Sequence, residues 1–235
     1  MDEDLYGKSY DDLKAETLAK LHLAGEVIRT REAEQLEDIT RIAAKAVRMH
    51  PQRESLTIAV SIGAAHSMVG RNLERMGLSV DIDHAGPAAD MPHDVLTDGG
   101  SSYSYDVATA LLRKATHCPE AITEEDLDCL VSFRLIQNAI DEFMDLPDHA
   151  QSDGRIAYLF ESAASALVYQ LEPHERLAML QMTEERSAST LPLLRELRVG
   201  IAYTRTNRAV IDFIEQKVGD LDAFVLGIGK DLQQR

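Results

Sequence analysis

Residues Leu56 to His84, LTIAVSIGAAHSMVGRNLERMGLSVDIDH, constrain the fold more than any other stretch, because they pair the pattern of a parallel β-α-β unit with side chains able to do chemistry. Thr57 to Ile62 is a short apolar, partly β-branched run of the kind buried on both faces of a sheet, and Gly63 ends it at a sharp turn. Ser67 then caps a helix in which Met68, Leu73 and Met76 share one side, and Gly77 stops that helix in the left-handed conformation glycine tolerates best. Leu78 to Ile82 resumes a strand. The connection is not a hairpin turn, so the two strands are expected to be parallel, adjacent and joined in the right-handed sense. Both then end on one sheet edge, where open α/β sheets hold ligands, and Gly63 and His66 fall near Asp81, Asp83 and His84. A helix N-terminus beside His66 favours an anionic ligand there.

Around this unit the pattern is helical. Ser9 with Asp12 resembles a capping box, after which Leu13, Leu18, Leu21, Ile28, Leu36, Ile39, Ile42 and Ala46 keep a helical period as far as His50-Pro51. One helix over Asp11 to His50 would be about 60 Å long, against a radius of gyration of about 17 to 18 Å for a compact domain of this size. A break at Gly25, giving two helices, is therefore expected. From Ala85 the stretch AGPAADMPHDVLTDGGSSYSYD has the composition of a long exposed loop or lid. Beyond it helices are expected over Tyr105 to Thr116, from the Thr123 cap to Phe143, over Ile156 to Leu171 as a central buried element, from Pro173, from Pro192, over Asn207 to Val218, and from Asp220 onward.

The expected fold is mostly α with a small α/β element: a two-stranded parallel β-α-β unit embedded in a multi-helix domain. Its parts are a helical N-terminal segment with the β-α-β unit over 1–84, the loop or lid over 85–102, and a helical subdomain over 103–235 packed on them.

Charge removes several function classes. With 24 Lys and Arg against 40 Asp and Glu, the net −16 argues against a nucleic-acid backbone as partner. No run approaches the roughly 20 apolar residues of a membrane span, and no basic segment leads into an early apolar one, so a cytoplasmic protein without membrane contact is expected. The acid excess, with Arg ahead of Lys among the cations, would suit a high-salt cytoplasm. Cys118 and Cys129 have neither metal-motif spacing nor a secretory context, and read as buried or free thiols.

Several motifs are excluded by spacing. IGAAHSMVGR lacks the spacing and the lysine of a P-loop, His174-Glu175 has no second His at i+4, and no G-x-G-x-x-G or G-x-S-x-G occurs. What remains is His66, Asp81, Asp83 and His84, with Asp90, His93 and Asp94 read as solvated loop residues. Imidazole and carboxylate together suit a divalent ion such as Zn²⁺, Mn²⁺, Fe²⁺ or Co²⁺, which would activate a water for hydrolysis. His66 and Asp83 are the expected catalytic residues; His66, Asp81, Asp83 and His84 the expected metal ligands; Gly63, Ser67 and Arg31 the expected ligand-binding residues.

From Gly63 to Gly70, GAAHSMVG, the chain resembles the G-x-x-H signature of the TraB/PrgY, Tiki and ChaN-like superfamily. In that group a helix carrying an Arg precedes a strand that ends in G-x-x-H, and a further helix leads to a second strand. Arg31, the run 57–62, Gly63 with His66, and the helix to Gly77 follow that order over roughly residues 26–84. Members generally carry two such motifs and a pair of glutamates across two related halves, so the resemblance implies a C-terminal half alone or a shortened relative. It also implies metal-dependent peptidase activity, as proposed for the Tiki branch, or haem binding, as associated with the ChaN branch.

Three functions follow as expectations. The first is a metal-dependent hydrolase-like half-domain with its site at the strand ends, completed by self-association across exposed strand edges. The second is a non-catalytic helical module that binds a protein partner or regulates one. The third is a haem or small-ligand carrier using His66.

Overall fold

A computed structural model describes the chain over residues 8–60, 68–81, 107–143, 154–188 and 195–233. These residues form helices α1 (Tyr10–Met49), α2 (Met68–Arg75), α3 (Val107–His117), α4 (Glu124–Phe143), α5 (Gly154–Gln170), α6 (Pro173–Ala188), α7 (Arg195–Val218) and α8 (Leu221–Gln233), with a 3₁₀ turn at Pro119–Ala121. They divide into two compact units. Unit 1 comprises Met1–Lys20, Ser101–Ala108 and Ile122–Arg235; unit 2 comprises Leu21–Gly100 and Thr109–Ala121.

Unit 1 is organised on α4. Thr123 caps it in the manner its sequence predicts: Thr123 Oγ1 accepts from the Asp126 N–H, and the Asp126 carboxylate accepts from the Thr123 N–H. Along α4, Leu127, Leu130, Val131, Leu135, Ile136, Ala139 and Ile140 recur at helical spacing and are all buried. The helix packs against α5, α6 and α7, and α8 packs on α5 and α7. Small buried residues on α5, Ala163, Ala164 and Ala166, allow its neighbours to approach closely. The first turn of α1 joins this core through Leu13, which packs with Val131, Leu135 and Leu180, with Tyr10 alongside.

One cation ties three helices of unit 1 together. Arg176 on α6 is 5 % exposed and donates to the carbonyls of Val168 and Leu171, at 3.3 and 2.7 Å, and to Glu125 at 2.9 Å. Its guanidinium thereby caps the end of α5, satisfying the Leu171 carbonyl just past the helix and joining the Leu171 N–H as a second donor to Val168 O. Pro173 opens α6 without losing a bond, since the first helical N–H would be unpaired anyway. Gly219, at φ 80°, closes α7.

Unit 2 is smaller. Ile39 of α1 and Val69 and Leu73 of α2 form its buried cluster, with Leu36 and Val80 packed against it. The chain leaves α2 as the sequence predicts: Gly77 sits at φ 87°, its N–H donates to Glu74 O, and the Leu78 N–H donates to Leu73 O. That pair of bonds is the Schellman closure.

Three expectations are overturned. The described residues contain no strand, so the parallel β-α-β unit is absent from the segments expected to pair in it. Leu56, Ile58 and Val60 are 38, 37 and 46 % exposed, and Leu78 is 41 % exposed, where a doubly covered strand would bury them. Val80 packs against helices instead. An apolar run makes a strand only when a neighbour supplies the ladder, and periodicity over five residues carries no information about that neighbour. The second correction concerns α1, which runs unbroken for 40 residues through Gly25. A glycine costs a helix only about 1 kcal/mol relative to alanine, and the residues on either side are good helix formers. At this position it admits another backbone: a Cβ built on Gly25 would lie 2.7 Å from Ala115 O. Further along the chain, the helices expected from Pro192 and over Asn207 to Val218 are one, α7.

Candidate functional site

The residues expected to carry chemistry are mostly outside the described ones. Gly63, His66, Ser67, Asp83 and His84 are among those outside, as are Asp90, His93, Asp94 and the whole loop 85–102. Arg31 and Asp81 are described. Both are exposed. With no strand pair, the convergence of two strand ends on His66 has no support in the described residues, and no group of three His, Cys, Asp or Glu able to hold a metal ion occurs among them.

What unit 2 does bring together is a polar junction of α1, α2 and α3. Glu32, one residue beyond Arg31, is 7 % exposed on the inner face of α1. Its Oε1 accepts from the Met68 N–H at 3.3 Å, at the N-terminus of α2, where a carboxylate complements the helix dipole. The same oxygen lies 3.8 Å from His117 Nε2 at the end of α3. Beside it the Arg29 guanidinium donates to Thr116 O at 2.9 Å, satisfying a carbonyl in the last turn of α3. His117 Nε2 is enclosed and has no hydrogen-bond partner, and Gln35 Oε1, one turn further along α1, is enclosed in the same way.

Two influences on His117 oppose each other. Glu32 at 3.8 Å favours the charged imidazolium, whereas burial favours the neutral ring. Burial prevails, because the separation exceeds hydrogen-bond reach and Arg29 and Arg113 push in the same direction as burial. His117 is therefore held below its ordinary value. The folded chain keeps the ring neutral while the unfolded chain titrates near 6.5. The stability this contributes is complete above that value and is lost as pH falls below it. The urea midpoint should accordingly drop between pH 7.5 and 5.5, and His117→Gln should show a smaller drop; equal drops in the two proteins would refute the assignment.

The sequence carried a signal for this junction that spacing alone does not rank. Glu32 interrupts the apolar stripe Leu21, Ile28, Leu36 and Ile39, and a carboxylate in a buried stripe needs a partner. That partner, the start of α2 with His117, is distant in sequence. Chemically the junction holds three helices in place, and its enclosed Nε2 offers nothing to an external substrate. Both cysteines are free; Cys118 is exposed, and burial pushes the half-buried Cys129 thiol up.

The outer surface of unit 2 differs from its interior in kind. Of the thirteen exposed large hydrophobic residues among those described, ten belong to this unit: Leu23, Val27, Ile42, Val47, Met49, Leu56, Ile58, Val60, Met76 and Leu78. Only Tyr169, Leu177 and Leu226 belong to unit 1. The charge differs too. In a chain of net −16, the sequence of unit 2 holds ten Lys and Arg against thirteen Asp and Glu, so unit 1 carries most of the acidic excess.

Comparison with family models, with curated proteins and with solved structures returns no match.

Proposed function

We propose that the chain is a non-catalytic helical protein-interaction module whose contact surface is unit 2. The observation that carries this reading is the concentration, among the described residues, of exposed large hydrophobic side chains in the unit that carries the smaller share of the net charge. Scattered surface apolar residues are ordinary, but a gathering of them within one small unit marks a place where another molecule excludes water. The lower net charge at the same place weakens the repulsion that the rest of so acidic a chain would impose. The hydrolase expectation draws on a residue set of which only Arg31 and Asp81 are described, and both of those face solvent.

The test replaces three outward apolar residues together, Ile42→Ser, Met49→Ser and Ile58→Ser. Each is at least 37 % exposed, so the variant should keep the helical content and the unfolding midpoint of the parent. Full-length parent and variant are used as baits in extract from the native cells, and bound proteins are quantified. A specific partner should be enriched on the parent and fall by about tenfold or more on the variant, since removing hot-spot side chains costs upwards of 1 to 2 kcal/mol each. Identical profiles for the two baits would overturn the reading.

A further inference from the structure

The outer face of α1 is charged in an order that makes it complementary to itself. Arg31, Glu34, Asp38, Arg41, Lys45 and Arg48 follow one another in alternating steps of three and four, so they form one seam along the helix, and all six are exposed. Their signs run plus, minus, minus, plus, plus, plus. The acidic pair and the basic trio are therefore consecutive blocks on a single face. From Ile39 to Arg53 the chain holds four Lys and Arg and no acid. Ile42 and Met49, 51 and 63 % exposed, flank the basic block on one side.

We infer that unit 2 docks a second copy of this chain, through α1 packed antiparallel on α1 about a two-fold axis between Ile39 and Thr40. This rests on the reading of unit 2 as the contact surface, and names its partner. In that register Glu34 of each copy faces Lys45 of the other, and Asp38 faces Arg41, so the two-fold repeats each attraction. A parallel in-register pairing would instead set every charge against its own sign. The one like-sign meeting is Arg31 opposite Arg48, and Glu34 lies within three residues of Arg31, about 4.5 Å along the axis, where it offsets the repulsion. Arg41 already donates to Asp38 within its own helix, and that exposed pair exchanges partners at little cost. Charge blocks of this kind fix orientation and register more than they supply affinity, which Ile42 and Met49 provide by leaving water.

Sedimentation equilibrium of the full chain under reducing conditions tests the inference. At 0.15 M salt the Debye length is about 8 Å, so the distant acidic charges are screened while charges in contact are not. The parent should approach twice its 26.1 kDa mass as concentration rises. R41E/K45E places acid against acid at all four positions and should raise the dissociation constant at least about tenfold. E34K/D38K places base against base with the same result. Mixing the two variants gives a heterodimer in which all four meetings are again attractive, and the mixture should recover the parent's association. A parent that stays monomeric at every concentration, or a mixture that does not recover, overturns the second copy as partner. Should the three-residue serine variant still lose another protein in that case, unit 2 remains the contact surface. If neither occurs, both readings fall.

Discussion

Arg176→Ala should cost the folded chain about 3 kcal/mol, the sum expected when buried carbonyls lose a charged donor. For a chain of this length that corresponds to a fall of roughly 6 to 12 °C in the unfolding midpoint. The value follows from where the guanidinium bonds rather than from its ion pair. Its carboxylate partner Glu125 is 65 % exposed in its side chain, so Glu125→Gln should cost under about 1 kcal/mol. The Leu171 carbonyl has no such recourse to water, because the residue is buried just past the end of α5, whereas Val168 O keeps the Leu171 N–H. Arg176→Lys keeps the charge but loses the planar fork that reaches α4 and α5 together, and should recover less than half of the loss. Chemical denaturation followed by helical circular dichroism measures all three. Equal costs for Arg176→Ala and Glu125→Gln would show that the ion pair, and not the helix end, is what Arg176 secures.

Gly25→Ala should destabilise the chain by about 2 kcal/mol, although alanine is the better helix former by up to about 1 kcal/mol. The obstacle is backbone: the new Cβ would meet Ala115 O at 2.7 Å and Ala115 C at 2.8 Å. A flexible side chain could turn away from such a contact, whereas a helical carbonyl moves only with its helix. Gly227 in α8 supplies the control, since a Cβ there meets nothing within 4 Å. Gly227→Ala should be neutral or stabilising by up to about 1 kcal/mol. Opposite signs at two helical glycines, read from the same denaturation experiment, would identify close approach as the cause; a stabilising Gly25→Ala would refute it.

The helices and their punctuation were legible because local chemistry determines them. Thr123 with Asp126, Pro173, Gly77 and Gly219 each act within a turn of their own position, and each does what its residue type dictates. The failures share a different character. Whether Thr57 to Val60 becomes a strand depends on a partner elsewhere, and Gly25 marks a close approach to Ala115, ninety positions away, rather than a break in α1. Likewise the Glu32 junction depends on Met68 and His117, neither of which marks itself in the sequence. The expected metal-ligand set follows from residue type at a sheet edge, which the described residues lack. Without that edge, Asp81 and Arg31 are exposed side chains.

Within unit 2, α1 is constrained in phase as well as in composition. Gly25, Glu32 and Ile39, each seven residues after the last, face Ala115, the start of α2 and the buried cluster with Val69 and Leu73. Each residue advances the face by about 100°, so one residue inserted or deleted between Gly25 and Ile39 would rotate the later of these contacts out of alignment with the earlier ones. Loops absorb such changes of length; a helix has no slack in which to do so. Over evolutionary time this stretch of α1 is free to exchange its outward residues and bound to keep their number.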